Sequence, residues 1–129
     1  MKRGESNQTR AKSLLASFGF AFAGLVYCFR TQRNFRIHIA IAIVMSMVGV
    51  FLGLSWVEWA VFAAMVVLVL SAEMANTMIE SLVDLVTTEY HPLAGIAKDV
   101  AAGIVLLTAM GAVVVGLFIF LPRLLAAIR

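Results

Sequence analysis

Charge is what this chain has least of: only 13% of its 129 residues are Asp, Glu, Lys or Arg, against 63% hydrophobic. A water-soluble domain of this length has too much surface to be covered by so few charges, so the composition calls for a bilayer as solvent. Length is short as well. A chain of 129 residues holds one domain and leaves no room for a separate soluble catalytic module, so any chemistry has to be built on the helices that sit in lipid. The single cysteine, Cys28, excludes an internal disulfide framework and reads as a buried spectator thiol among apolar neighbours. Neither a GxxxxGK phosphate loop ending in Ser or Thr nor a glycine-rich kinase loop is present. Nucleotide binding therefore cannot rest on either of those cradles.

What charge there is falls unevenly. Lys2, Arg3, Arg10, Lys12, Arg30, Arg33 and Arg36 precede the first long apolar run, and only Lys98, Arg123 and Arg129 follow it. A basic cluster beside a span stays in the cytoplasm and sits against anionic lipid. A nucleic-acid partner is not expected, because nothing here resembles a base-reading module.

The pattern predicts an all-α integral membrane protein forming one domain over 1–129. A polar terminus, 1–13, is expected to be poorly ordered. The segment 14–30 is uncharged until Arg30 and short for a span. Its basic flank and Ala-Phe-Ala could mark a signal peptide, but no polar cleavable region follows. It reads better as an amphipathic helix lying at the interface. Transmembrane helices are expected at 37–57, 59–86 and 97–122, with Trp56 and Trp59 at the far interface and a cytoplasmic loop around Pro92. Small residues such as Gly49, Gly103, Gly111 and Gly116 allow close helix approach. Three spans enclose little interior, so self-association is expected.

The chemistry concentrates in residues 71–103. Glu73, Asn76, Glu80 and Asp84 recur at intervals of three, four and four, which puts them on one narrow helix face. Carboxylates at the end of a membrane helix are expensive unless they meet protein, water, metal or an opposite charge. Three on one stripe also repel one another. A divalent cation would relieve that repulsion, and carboxylates with an amide oxygen are the hard ligands that suit magnesium shared with phosphate. After the turn come Lys98, able to pair with phosphate, and Asp99, able to orient it. Such a set suits phosphoryl transfer, which is chiefly positioning and charge neutralisation. The residues alone reach a polyanion and metal site at a membrane surface, not ATP. Plainer roles were weighed for others: His38 as a hydrogen-bonded interfacial residue, His91 as a shaper of the turn, Glu58 as an external charge, and the methionines as packing.

The combination Glu73-x-x-Asn76-Thr77-x-Ile79-Glu80-x-x-Val83-Asp84, then Glu89-x-His91-Pro92-Leu93-Ala94, then Ala97-Lys98-Asp99-x-Ala101-Ala102-Gly103, resembles the prokaryotic diacylglycerol kinase family. Arg33-Asn34-Phe35-Arg36-Ile37-His38 and Phe120-Leu121-Pro122-Arg123-Leu124 look like its undecaprenol kinase branch. The resemblance covers nearly everything after residue 13. It implies a homotrimer in a bacterial plasma membrane, with active sites between subunits on the cytoplasmic face, and ATP and a lipid alcohol as substrates. By similarity Glu73 would be the base that takes the hydroxyl proton, and Glu80 would bind Mg2+. Lys98 would contact the phosphates with support from Asn76 and Asp99, and Asp84, Glu89 and His91 would lie near the nucleotide. Undecaprenol is the expected substrate and diacylglycerol the alternative. From another class come a small proton-coupled transporter, which would need Glu73 but tolerate loss of Lys98 and Asp99, and an inactive lipid-binding scaffold.

One position departs from the family. Gln32 stands where a glutamate is common, and that glutamate is a second metal ligand. A glutamine keeps a carbonyl oxygen but no charge, which implies weaker metal binding, compensation by a nearby acid or water, or lost activity. The first two are favoured because Glu73, Glu80, Lys98 and Asp99 all remain. Restoring the acid by Gln32→Glu should lower the magnesium concentration needed for half-maximal activity. An unchanged requirement in a magnesium titration would place Gln32 away from the metal.

Overall fold

The computed structural model describes residues 14–89 and 91–128. The polar terminus expected at 1–13 lies outside the described residues, as do Tyr90 and Arg129. All regular structure described is helical: α1 (Leu14–Thr31), α2 (Arg33–Leu52), α3 (Trp56–Val86) and α4 (Pro92–Ile128). Each is long and apolar enough to cross a bilayer, α1 being the least apolar of the four. In hydrocarbon every backbone polar group has to be satisfied within its own segment, which is why apolar stretches of this length fold as helices. Hydroxyls inside them bond back to the preceding turn, as Ser46 does to the Ala42 carbonyl at 2.7 Å.

The chain divides into two compact units, one ending at Arg33 and one beginning at Asn34. In the first, α1 closes through Gln32, whose N–H donates to the Cys28 carbonyl at 2.8 Å. Cys28 is buried while Leu14, Leu15, Phe18 and Phe22 are widely exposed, a distribution that suits contact with lipid.

α2, which apart from its first residue belongs to the second unit, begins at Arg33, four residues before the uncharged run starts, because Arg33, Asn34 and Arg36 are tolerated at the polar end of a membrane helix. It ends at Leu52 rather than 57. The stop is chemical: Gly53 takes φ +65°, its N–H donates to Val50 O at 3.2 Å, and Leu54 N–H reaches Gly49 O at 3.1 Å. This pair of bonds is a Schellman stop, for which glycine pays no Cβ penalty. Ser55 then caps α3 in a capping box with Glu58, its Oγ accepting from Glu58 N–H at 3.4 Å and its N–H donating to Glu58 Oε2 at 2.7 Å.

α4 returns to this turn. Arg123 donates from Nε and Nη2 to the two oxygens of Glu58 at 3.1 and 2.6 Å, and from Nη1 to the Gly53 carbonyl at 3.0 Å. Glu58, expected as an external charge, is thus paired with Arg123, and Arg123 ties α4 both to α3 and to the turn that ends α2. The last helix was expected to stop at 122. It runs through Pro122 to Ile128, with the residue after the proline held by those three bonds. Beside the clamp lies the main apolar cluster, Leu54, Ile119 and Phe120, with Trp59 and Phe62 packed on it. Trp59–Phe62 and Phe62–Phe120 meet edge to face at 5.8 and 5.9 Å.

α4 also starts earlier than expected, at Pro92 rather than 97. Proline is favoured at the first helical position, where its missing N–H is not needed, and His91 Nδ1 caps the end by accepting from Leu93 N–H at 3.2 Å. The loop between α3 and α4 shrinks to 87–91. Thr87 stiffens it by donating to the Glu89 carbonyl at 3.1 Å and accepting from Glu89 N–H at 3.2 Å.

At Gly49 the Trp59 ring of α3 packs directly on the backbone of α2. A Cβ there would stand 2.9 Å from Trp59 Cη2 and 3.3 Å from Leu54 Cδ2. Gly49→Ala should therefore cost about 1–3 kcal/mol through overpacking. Adding Trp59→Phe should return part of that loss, as measured by thermal unfolding in detergent.

Candidate active site

Glu73, Asn76, Thr77, Glu80 and Asp84 all lie on α3. At 1.5 Å per residue Glu73 stands about 26 Å along the helix from Trp56, a little less than the thickness of a hydrocarbon layer, about 30 Å. Glu80 and Asp84 lie roughly 36 and 42 Å along, farther than that thickness.

The three acids also differ in burial, Glu80 being half-buried and Asp84 exposed. Glu73 is 3% exposed. A polar neighbour comes from α2: His38 Nε2 lies 3.4 Å from Glu73 Oε1, outside hydrogen-bond geometry, so Oε1 is left without a donor among the described residues. Thr77 Oγ1, also buried, donates to the Glu73 carbonyl at 2.9 Å and so leaves the carboxylate alone. One turn on, Asn76 Nδ2 donates to Glu80 Oε1 at 3.0 Å, and Asn76 Oδ1 is buried without a partner. Two acceptor oxygens on one helix face thus lack donors. Each such atom costs about 1–3 kcal/mol if left bare, and a hydroxyl or cation brought by a ligand would satisfy both.

A metal was expected to relieve repulsion along the stripe. Instead the three acids take separate neighbours: Glu73 the His38 ring, Glu80 the Asn76 amide, and Asp84 the Lys98 ammonium at 2.6 Å. Among the described residues no three His, Cys, Asp or Glu gather around one point as a metal site. The donors at Glu80 and Asn76 Oδ1 still fit magnesium, a hard ion that commonly takes one or two protein oxygens and fills its shell with water and phosphate. Gln32 is the half-buried residue separating α1 from α2.

Lys98 was expected to be oriented by Asp99, and it faces Asp84 instead. Adjacent residues on a helix point about 100° apart, whereas the 87–91 turn lays the start of α4 along the end of α3. Asp99 is exposed. The same turn builds an open polar cavity of about 450 Å³ lined by Val83, Asp84, Thr87, Thr88, Glu89, His91, Ala94, Gly95 and Lys98. Four expected nucleotide residues, Asp84, Glu89, His91 and Lys98, are brought together there. Glu73, Asn76 and Glu80 lie outside it, further up α3.

A second cavity, also of about 450 Å³, runs between α2, α3 and α4 from His38 to Leu124, and His38 is the only polar side chain lining it. His38, expected as a hydrogen-bonded interfacial residue, thus borders both the apolar cavity and the buried carboxylate. The available signal was an ionisable residue inside a span, which is costly without a partner. That partner lies on another helix, 35 residues away, and spacing along one helix cannot reveal it.

The sequence matches the family described as Prokaryotic diacylglycerol kinase over residues 19–120. It is 49% identical over 117 residues to a diacylglycerol kinase of Synechocystis sp., covering 90% of this chain and 67% of that protein. It is 43% identical over 108 residues to an undecaprenol kinase of Bacillus subtilis, covering 84% and 88%. A diacylglycerol kinase of Pseudomonas aeruginosa is 37% identical over 95 residues, 74% of this chain and 77% of that one.

The Lys98–Asp84 pair is solvent-exposed, its side chains 40% and 66% accessible. Exposed pairs contribute about 0–1 kcal/mol, so Asp84→Asn should change thermal stability by no more than that. A larger loss on unfolding in detergent would mean that the pair holds the α3–α4 turn together.

Proposed function

The chain belongs to the prokaryotic diacylglycerol kinase family, which makes it a multi-pass membrane protein and an ATP-dependent lipid kinase, and we propose that it transfers the γ-phosphate of ATP to the hydroxyl of a polyprenol such as undecaprenol. The observation that carries this reading is the buried Glu73 carboxylate, 3% exposed with an unpartnered oxygen, on the same helix face as the Asn76–Glu80 pair and at the level of the membrane boundary.

The reaction needs a lipid hydroxyl, a base and a restrained phosphate in line. Glu73 accepts the hydroxyl proton as that oxygen bonds to the γ-phosphorus, and the bond to the bridging oxygen breaks to release ADP. A base at the apolar boundary meets a hydroxyl whose hydrocarbon chain stays in lipid, so the substrate need not leave the bilayer. Glu80 and Asn76 would hold magnesium, and the ion would neutralise phosphate charge when bound. Lys98 turns from Asp84 to the phosphates. Its present pair contributes about 1 kcal/mol at most, which several phosphate charges outbid. In the polar cavity Asp84, Glu89 and His91 accept from the ribose hydroxyls and the adenine amine, while Asp99 supports the phosphates beside Lys98.

In this proposal α1 lies along the cytoplasmic surface, α2 to α4 span, and three copies associate so that each site forms between neighbours. Among the described residues eight apolar side chains are buried, and none of the large ones completely. Faces so open suit contact with lipid and with further copies. The polyprenol is supported by the end motifs around Asn34 and Pro122, and by the undecaprenol kinase relative covered over 88% of its length. Diacylglycerol is the second reading, favoured by the more identical of the two relatives.

Purified protein in mixed micelles with labelled ATP should phosphorylate undecaprenol in preference to diacylglycerol, and only with magnesium. Glu73→Gln should lower kcat about 10²–10⁴-fold, the usual contribution of a general base. Lys98→Ala should act mainly on the KM for ATP. Preference for diacylglycerol would move the chain to the second reading. Undiminished turnover by Glu73→Gln would remove Glu73 as base.

A further inference from the structure

We propose that His38 is the positioning residue of Glu73, holding the carboxylate at the mouth of the apolar cavity so that a hydroxyl arriving from lipid meets it in the reactive orientation. The inference deepens the kinase reading and rests on its assignment of Glu73 as base.

Three observations converge on this residue. Among the described residues Glu73 Oε1 has no hydrogen-bond partner: Thr77 is spent on the backbone carbonyl, and Asn76 is turned towards Glu80. A carboxylate on two rotatable bonds beyond Cβ would sample several orientations, and a misplacement of about 1 Å can cost about 100-fold in rate. His38 Nε2 stands 3.4 Å from Glu73 Oε1, and that oxygen is buried with no other donor. A small rotation of either side chain brings the pair into hydrogen-bond alignment. The imidazole then has to carry its proton on Nε2, because the atom facing it is an acceptor. Finally, His38 is the one polar group lining a cavity otherwise built from apolar side chains such as Ile41, Phe62, Met65 and Val69. A hydroxyl at the head of an apolar chain lying there reaches polar surface first at His38.

The division of labour follows. Glu73 takes the proton, and His38 fixes which oxygen is free to do so by engaging Oε1. His38 sits on α2 while the phosphate-side residues Glu80, Asp84 and Lys98 sit on α3 and α4. Its influence should therefore be felt in turnover and not in nucleotide binding.

The test compares His38→Leu with His38→Gln in the full chain, both shown by thermal unfolding and sizing to match the parent. Leucine keeps bulk and suits a membrane helix but offers no donor, whereas glutamine restores an N–H near the same reach. His38→Leu should lower kcat about 10–100-fold with KM for ATP unchanged, and His38→Gln should recover at least several-fold of the loss. A structural role alone would be served as well by leucine. Equal kcat in the two variants, or a loss confined to the KM for ATP, overturns the inference. Glu73→Gln is run beside them. If it is inactive while His38→Leu turns over normally, the positioning role fails and the base stands. If it remains active, the base assignment fails and the inference falls with it.

Discussion

Hydrocarbon supplies no hydrogen bonds, and the architecture follows from how this chain answers that. The backbone answers with helices, the hydroxyls with bonds to the preceding turn, and each acidic group with a place outside the apolar layer or a neighbour within it. Glu73 is the position where that answer is least complete. It is buried, its Oε1 has no aligned donor, and the His38 ring stands just beyond hydrogen-bond geometry. A buried carboxylate oxygen without a donor is costly in the folded state, and a hydroxyl or cation brought to it would remove that cost.

The two ends of the α3–α4 pair are built differently. At the end where α4 meets the turn after α2, Arg123 binds Glu58 and Gly53, Gly53 and Ser55 set the turn, and aromatic rings pack beside them. These contacts are mutually reinforcing and leave little to move. At the other end the contacts are sparse and exposed: a single ion pair between Asp84 and Lys98, a threonine-braced turn, and an open polar cavity. An exposed pair of this kind adds little to stability, so the helices are held in register chiefly from the Arg123 end.

Much of this was legible in the residues. The apolar runs, the Gly53-Leu54-Ser55 turn and the stripe of Glu73, Asn76, Glu80 and Asp84 each depend on contacts within a few positions, where spacing and turn chemistry speak directly. The helix limits were less legible. Pro92 reads as a breaker until a cap at His91 turns it into a first helical residue, and Pro122 reads as a stop until Arg123 is seen bound to the turn beyond α2. The Lys98-Asp99 dipeptide was misleading for a simpler reason: neighbours in sequence diverge around a helix, and the partner of Lys98 came from across the turn.

What the sequence determined by itself is the class of molecule, the helices, the acidic face and the family, because composition and periodicity are local quantities and the motif combination is long. Only the tertiary structure decided the partners: Asp84 for Lys98, Glu58 for Arg123, and His38 beside Glu73. Those pairs join different helices, and Arg123 and Glu58 are 65 residues apart. No spacing along one helix encodes which turn of another will face it, since that is set by where the chain reverses and how closely glycines such as Gly49 let the helices approach.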